Sequence, residues 1–254
     1  MCKALIVSWL CFLACLAARA EVLIVADEFP AMEVLAKRLT SEENVFSQLV
    51  EQTKLPAKLD QFAAVVVYIH KDLAAAAEEA FIRYAEAGGR LVLLHHSISS
   101  GKRKNRDWFK FLGVELPEDS LEQGGYKWIE GVQVQWINLA PDHYVMTNKI
   151  SFPETQAIAS PSGVLRVHPS FELVNTEVYL NHVLNGSHTL LMGLHYSDAT
   201  THQTWNQSTA GWLRPAGKGW IAYFMPGHTL HDFENPVYGR IVLNAITAPA
   251  SQFR

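Results

Sequence analysis

Four stretches of the sequence bring residues with acid, base or ligand character to the ends of apolar runs. RLVLLHHSISSG, residues 90–101, passes straight into His95, His96 and Ser97. AAVVVYIH ends at His70, EVLIVADE ends at Asp27 and Glu28, and WIAYFMPGHTLHD carries His228, His231 and Asp232 past a Pro226-Gly227 turn. Neutral imidazoles and carboxylates can do two kinds of work. They transfer a proton to or from a carbonyl-bearing substrate, or they ligate a borderline divalent cation such as zinc or manganese. A catalytic metal takes about three protein ligands and keeps one position open. No His-x-x-x-His or His-Glu-x-x-His pair is present, so a ligand set has to be assembled from separate loops. Ser97 does not sit in a Gly-x-Ser-x-Gly turn, which argues against a serine nucleophile.

Thiol chemistry is excluded beyond the first twenty residues, because Cys2, Cys11 and Cys15 are the only cysteines. That removes disulfides, zinc-thiolate sites and cysteine nucleophiles from the rest of the chain. Residues 1–20 read as a cleaved export signal. Lys3 is followed by an apolar run from Ala4 to Ala18 and the small-x-small triplet Ala18-Arg19-Ala20, and the run is shorter than the ~20 residues that cross a bilayer. On this reading the protein is exported, to a periplasm or outside the cell. The rival reading takes Phe12-Leu13-Ala14-Cys15 as a lipoprotein box, with membrane attachment through a lipid on Cys15. A formal charge of -4 provides no broad basic face, so nucleic acid is not an expected partner. The basic run GKRKNRDW, residues 101–108, reads as a solvated loop that would steer an anionic substrate if there is one.

The elements that must position these groups follow from hydrophobic patterning. EVLIVA, AAVVVYI and RLVLL are continuous apolar runs suited to strands buried on both faces. Between them lie two helical patterns. PAMEVLAKRLTSEENVFSQLVEQT is expected to break near Thr40-Ser41, with Ser41 capping a second helix. KDLAAAAEEAFIRYAEAGG places Leu73, Ala77, Ala80, Phe81 and Tyr84 on one face and ends at Gly88-Gly89. Strand-helix-strand-helix-strand with short links implies parallel strands. YKWIEGVQVQWINL, TLLMGLHY and the two halves of GWLRPAGKGWIAYFMPG read as further strands, and NPVYGRIVLNAITA as a last helix capped by Asn235 with Pro236 at its first position. The prediction is one α/β domain over residues 21–250.

In an open parallel sheet, ligands bind beyond the carboxyl ends of the strands. Asp27-Glu28, His70 and His95-His96 all end such strands. Strand alternation would send His95 and His96 to opposite sides, leaving one of them for any single pocket.

Four segments then carry a resemblance. FAAVVVYIHKDLAAAAEEAFIRYAEAGGRLVLLHHSIS, WFKFLGVEL, FELVNTEVY and GKGWIAYFMPGHTLHDFENPVYGRIVLNAI resemble, in order, landmarks of the ThuA-like, or trehalose-utilisation, family. The resemblance implies a three-layer flavodoxin-like sandwich with a mostly parallel central sheet, related to the class I glutamine amidotransferases, and a role in sugar metabolism. Those relatives carry a cysteine at the turn that here reads His95-His96-Ser97, so glutaminase activity is not expected. The family's polar landmarks fall on Asp142 and His143, with Tyr144 where proline is preferred, and on Glu177 and Tyr179, with Thr176 where aspartate is usual. His168 is an additional or alternative histidine. Trp220 stands where the family often has arginine.

On this reading His96, His228 and Glu177 are the candidate catalytic residues and the candidate ligands of a zinc or manganese ion. Asp27, His70, His95, Ser97, Asp142, His143 and Tyr179 are the candidate substrate contacts. The expected ligand is a small sugar or glycoside, and the resemblance points to one oxidised to a 3-keto form. Trp128, Trp136, Trp205, Trp212 and Trp220 supply aromatic faces of the kind that cover sugar rings. Two classes of function fit these residues: an enzyme that isomerises or cleaves an oxidised glycoside, and a non-catalytic module that only binds a carbohydrate or another protein.

Overall fold

The computed structural model describes residues 21–159 and 163–253. The export-signal and lipoprotein readings of residues 1–20 lie outside these. The first half alternates as its patterning predicts. Strand β1 (Glu21–Ala26), helix α1 (Phe29–Glu43), β2 (Phe46–Val50), β3 (Ala64–Tyr68), α2 (Ala75–Glu86) and β4 (Arg90–Leu94) lead to a short 3-10 turn at His95–Ile98 and to α3 (Arg106–Leu112). β1, β3 and β4 are buried almost throughout, as expected for strands covered on both faces.

One helix expectation fails. Instead of a second helix capped by Ser41, α1 runs on to Glu43, and Asn44 turns the chain at φ 54. FSQLV then pairs in parallel with β1 as an edge strand. Asparagine tolerates the left-handed region better than most residues, and the alternating exposure of β2 fits a sheet edge.

The second half is built from strands: β5 (Val114–Glu115), β6 (Lys127–Asn138), the short helix α4 (Tyr144–Thr147), β7 (Glu154–Ala159), β8 (Leu165–Leu180), β9 (Val183–Leu184), β10 (Thr189–Ser197), β11 (Thr204–Ala216) and β12 (Gly219–Phe224). Helices α5 (Leu230–Glu234) and α6 (Pro236–Thr247) close the fold. Asn235 caps α6 as expected, its side-chain oxygen accepting from the backbone N–H groups of Val237 and Tyr238. α6 packs on β3 and β4, α2 on β4 and β12, and the remaining helices fall in with one or the other.

Ten strands form one sheet in the order β2-β1-β3-β4-β12-β11-β10-β6-β8-β7. The α/β class holds, but the mostly parallel sheet does not. Four neighbouring pairs are parallel and five are antiparallel. A parallel pair needs a crossover of a dozen or more residues, usually a helix. Among the described residues, the only helix between β6 and β12 is the four-residue α4, so these strands run back beside one another.

That antiparallel half decides where the site forms. From β4 to β8 there are five strand spacings, which in a flat sheet would be about 24 Å. Yet the end of β8 lies against the end of β4. Register shifts interrupt β10 against β11 and β6 against β8, and bulges of this kind sharpen twist and bend strands. Gln207 of β11 ties the return in place: its side chain accepts from the Asn181 N–H at 2.5 Å and donates to the Tyr179 carbonyl at 3.0 Å.

Candidate active site

The parallel strands β1, β3, β4 and β12 end on a common rim, since Val25 pairs with Val67, Val67 with Leu93, and Phe224 with Leu94. Past those ends come Asp27, His70, His95-His96 and His228. β8 reaches the same rim from the antiparallel half and contributes Glu177 and Tyr179, two residues apart and so on one face of the strand.

His95 and His96 do not diverge. Both point to one centre because the strand has already ended: His95 begins the 3-10 turn with φ 44, an uncommon conformation for a side chain larger than glycine. Two neighbours over-determine it. The buried Tyr223 hydroxyl donates to the His95 carbonyl at 3.1 Å, and His95 Nδ1 donates to the Met225 carbonyl at 2.5 Å. Nε2 is thereby turned toward Glu177.

One oxygen of Glu177, Oε2, collects the cluster. His95 Nε2 lies 2.8 Å from it, His228 Nδ1 3.2 Å and His96 Nε2 3.3 Å, and the Tyr179 hydroxyl donates to it at 3.3 Å. His95 stacks on Tyr179 with ring centroids 5.1 Å apart. His95 is wholly buried, Glu177 is 4 % exposed, and the His228 side chain, at 22 %, opens the group to solvent. Burial pushes the Glu177 carboxyl up, but the close approach of His228, His95 and His96, with the charge of His95, more than reverses this and holds it below the usual range. Burial, with the charge of His95 second, pushes His96 down to about 3. The Glu177 carboxylate beside it raises His228 against the opposing effect of its burial. The four residues are, among those described, the one group of three or more metal-type donors whose ligand atoms lie within 4.8 Å of one another.

Several neighbours hold this arrangement. Asp232 is buried and accepts from the backbone N–H of His228 at 2.8 Å and of Gly227 at 3.1 Å, and from Thr176 Oγ1 at 2.7 Å. Gly227 has φ 121, and a Cβ there would meet the Phe233 ring at 2.9 Å, so this turn admits little else. The Tyr68 hydroxyl donates to the Gly227 carbonyl at 2.9 Å.

The remaining sequence candidates have separate places. Asp27 accepts from the backbone N–H groups of His70 and Lys71 at 2.7 and 2.8 Å, locking the ends of β1 and β3 together. His70 is half exposed, lies 3.4 Å from Glu28 and packs against His96 with the rings tilted by 39° and their centroids 4.0 Å apart, so it borders the cluster. Ser97 is buried, with its hydroxyl on the carbonyls of Leu94 and Val67. Asp142 and His143 follow the far end of β6, whose Glu130 pairs with Glu177 eight residues earlier, roughly 25 Å of strand away. His143 there caps α4. His168 pairs with Gln156 of β7, nine residues from Glu177 along β8. His231 is exposed and pairs with Glu234 at 2.8 Å.

The basic run is only partly a solvated loop. Lys102 is buried, and its ammonium donates to the carbonyls of His70 and Lys71 and to Ser99 Oγ at 2.9–3.2 Å. Burial pushes it down to about 8. Of the tryptophans, Trp136 and Trp212 are core, Trp220 stacks on Phe253 and Trp205 on Tyr196. Trp128 is 46 % exposed and sits directly opposite Tyr179, hence on the Tyr179 face. Patterning missed Tyr68, Tyr223, Lys102 and the anchoring role of Asp232, since a buried tyrosine or lysine leaves no spacing signal. A groove of about 720 Å³ lined by Glu78, Arg83, Lys110, Arg214 and neighbours lies elsewhere. It holds no histidine, so the chemistry of the side chains, and not cavity size, picks the site.

A sheet whose parallel half ends in a rim of histidines, closed by a carboxylate from a returning antiparallel strand, defines an α/β protein of the ThuA-like class. The model of the ThuA family, described as trehalose utilisation, matches residues 22–247, and the chain belongs to that family. Among solved structures it is similar to a ThuA-like protein from Bacteroides uniformis, with TM-score 0.60, 17 % identity and 89 % of each chain covered. It is similar to another ThuA-like protein from Parabacteroides merdae, with TM-score 0.62, 13 % identity, and 90 % of this chain and 88 % of that one covered. A cytoplasmic protein from Salmonella typhimurium follows at TM-score 0.58 and 12 % identity, with 89 % and 98 % covered. No curated protein matches the sequence.

Proposed function

We propose that this chain is an exported enzyme of carbohydrate metabolism that acts on an oxidised, 3-keto glycoside or disaccharide at the cluster of His95, His96, Glu177 and His228. The observation that carries the reading is the convergence of three imidazoles and the Tyr179 hydroxyl on a single Glu177 oxygen, at the rim where open sheets bind ligands. A ketone on the ring acidifies the neighbouring C–H. Removing that proton is the common first step of isomerising the sugar and of expelling a glycosidic oxygen one carbon further on. His228, which alone of the four reaches solvent appreciably, and the half-exposed His70 are the groups that meet the substrate. Buried His95, Glu177 and Tyr179 fix the charge around them, and Trp128 offers a ring face to the sugar. Family membership supports carbohydrate use, and the pattern of residues 1–20 supports export.

The test is to incubate the purified protein with 3-keto-trehalose and methyl 3-keto-glucosides and follow the products by NMR, with unoxidised trehalose as control. The reading expects conversion of the keto sugars alone, reduced at least ~100-fold by His228→Gln. Saturable sugar binding with no conversion would establish the binding-module alternative instead, and neither binding nor conversion would overturn the carbohydrate reading.

A further inference from the structure

We infer that His95, His96, His228 and Glu177 form a mononuclear site for a divalent transition-metal ion. This names the cofactor of the centre just discussed, but it rests on geometry and not on the choice of substrate.

Hydrogen bonding alone leaves the centre badly arranged. A carboxylate oxygen offers about two lone-pair directions, yet four polar atoms crowd around Oε2 of Glu177 within 3.3 Å. Only His95 and Tyr179 approach with hydrogen-bond alignment. His228 Nδ1, aimed at the carboxylate, is buried with no hydrogen-bond partner. An orphaned buried nitrogen of this kind is costly and uncommon. His95 adds the tautomer argument. Its Nδ1–H is used on the Met225 carbonyl, so in the neutral ring Nε2 presents a lone pair to a carboxylate 2.8 Å away. Two electron-rich atoms at that distance call for a positive charge between them. A backbone carbonyl on the far nitrogen is also the usual support of a metal-ligating histidine.

The dimensions agree with a metal. Ligands about 2.1 Å from a tetrahedral ion are roughly 3.4 Å from one another. Glu177 Oε2 lies 3.3 Å from His96 Nε2 and 3.2 Å from His228 Nδ1, while His95 Nε2, at 2.8 Å, is closer than that spacing and would move apart on binding. Three neutral nitrogens and one carboxylate oxygen, with no sulfur, select zinc or manganese over the soft-metal and all-oxygen classes. Such an ion would act on a sugar carbonyl as a Lewis acid. The partly open His228 side leaves access for a ligand.

The experiment is metal analysis of the purified chain, then chelation and titration of the folded apoprotein with Co²⁺, followed by visible absorption and by competition with Zn²⁺ and Mn²⁺. One Co²⁺ per chain, displaced by Zn²⁺ and by Mn²⁺ only in large excess, is expected, with binding weakened at least ~100-fold in Glu177→Gln and in His228→Gln and unchanged in His231→Gln. His228→Gln is the safer variant, because its side chain is partly exposed and replacing it leaves the buried carboxylate in place. Circular dichroism confirms that each variant is folded. Failure of the folded wild type to bind any of the three ions at millimolar concentration overturns the site, and so does binding that survives both variants. Metal bound without sugar turnover would sink the proposed function and leave the metal site standing. Turnover by a protein that binds none of the three ions would do the reverse.

Discussion

Glu177 Oε2 lies 2.8 Å from His95 Nε2, although the strands that carry them are five places apart in the sheet. The contact exists because the antiparallel half curls back over its own parallel half. The centre is therefore only as well placed as the bends in β6, β8, β10 and β11 are well held.

Gln207 holds the return of β8 by acting as a section of backbone, accepting from Asn181 and donating to Tyr179. Gln207→Ala leaves both partners without these bonds and is expected to cost about 1–3 kcal/mol. Urea denaturation would show it. Since Tyr179 and Glu177 share the strand, activity and metal affinity should fall with stability. A variant as stable as the wild type would mean that the curl is held elsewhere.

His95 adopts φ 44, which asparagine tolerates and a β-branched residue does not. His95→Asn and His95→Val both remove the imidazole, so both should lose activity by about 10²-fold or more. Only His95→Val also pays for the backbone, and it should unfold about 1–2 kcal/mol more easily than His95→Asn. Equal stabilities would show that the turn relaxes when the ring is gone.

The parallel half was readable because its strands are continuous apolar runs and its site residues sit where those runs stop. Asp27, His70, His95 and His96 could be assigned to a common rim on that basis alone, whereas His228 was marked mainly by the family resemblance. Glu177 could not. β8 is a strand whose burial changes from edge to core along its length, and nothing in NTEVYL says that it folds back onto the rim, so only the family resemblance marked the residue. The divergence expected of His95 and His96 failed for a local reason: alternation applies to strands, and the strand ends at Leu94. Asp142 and His143, marked by the same resemblance as Glu177, lie past the opposite end of β6, where the antiparallel pairing of β6 and β8 puts them.

His182 gives a pH dependence outside the cluster. It is buried, its Nε2 on the Thr209 carbonyl at 3.0 Å, and burial pushes it down to about 4 from an ordinary 6.5. Between those values the unfolded chain binds the proton and the folded chain does not, so stability rises with pH. The contribution is complete above pH ~6.5 and is lost as pH falls toward 4, by up to ~3 kcal/mol. His182→Gln can still donate to Thr209 and does not titrate. Urea midpoints at pH 4.5 and 7.5 should differ less in that variant, and an unchanged difference would assign the acid sensitivity to other groups.

Asp232 is the last support of the centre whose removal can be predicted from its partners. Its carboxylate gathers the N–H groups of Gly227 and His228 and the Thr176 hydroxyl, so it joins the β12 turn to the strand that carries Glu177. All three donors share Oδ2, and Oδ1 accepts from Thr229 Oγ1. Asp232→Asn therefore keeps the shape and can keep an oxygen on the three donors, but it gives up the charge that strengthens each bond and turns its NH₂ toward Thr229. Hydrogen bonds to a charged group contribute about 1.5–3 kcal/mol each, so a loss of about 2 kcal/mol or more is expected in urea denaturation. His228 should also drift from Glu177, weakening Co²⁺ binding while Glu177, His95 and His96 remain intact. A variant that loses stability but binds Co²⁺ like the wild type would show that the turn is fixed by Tyr68 and Gly227 without the carboxylate.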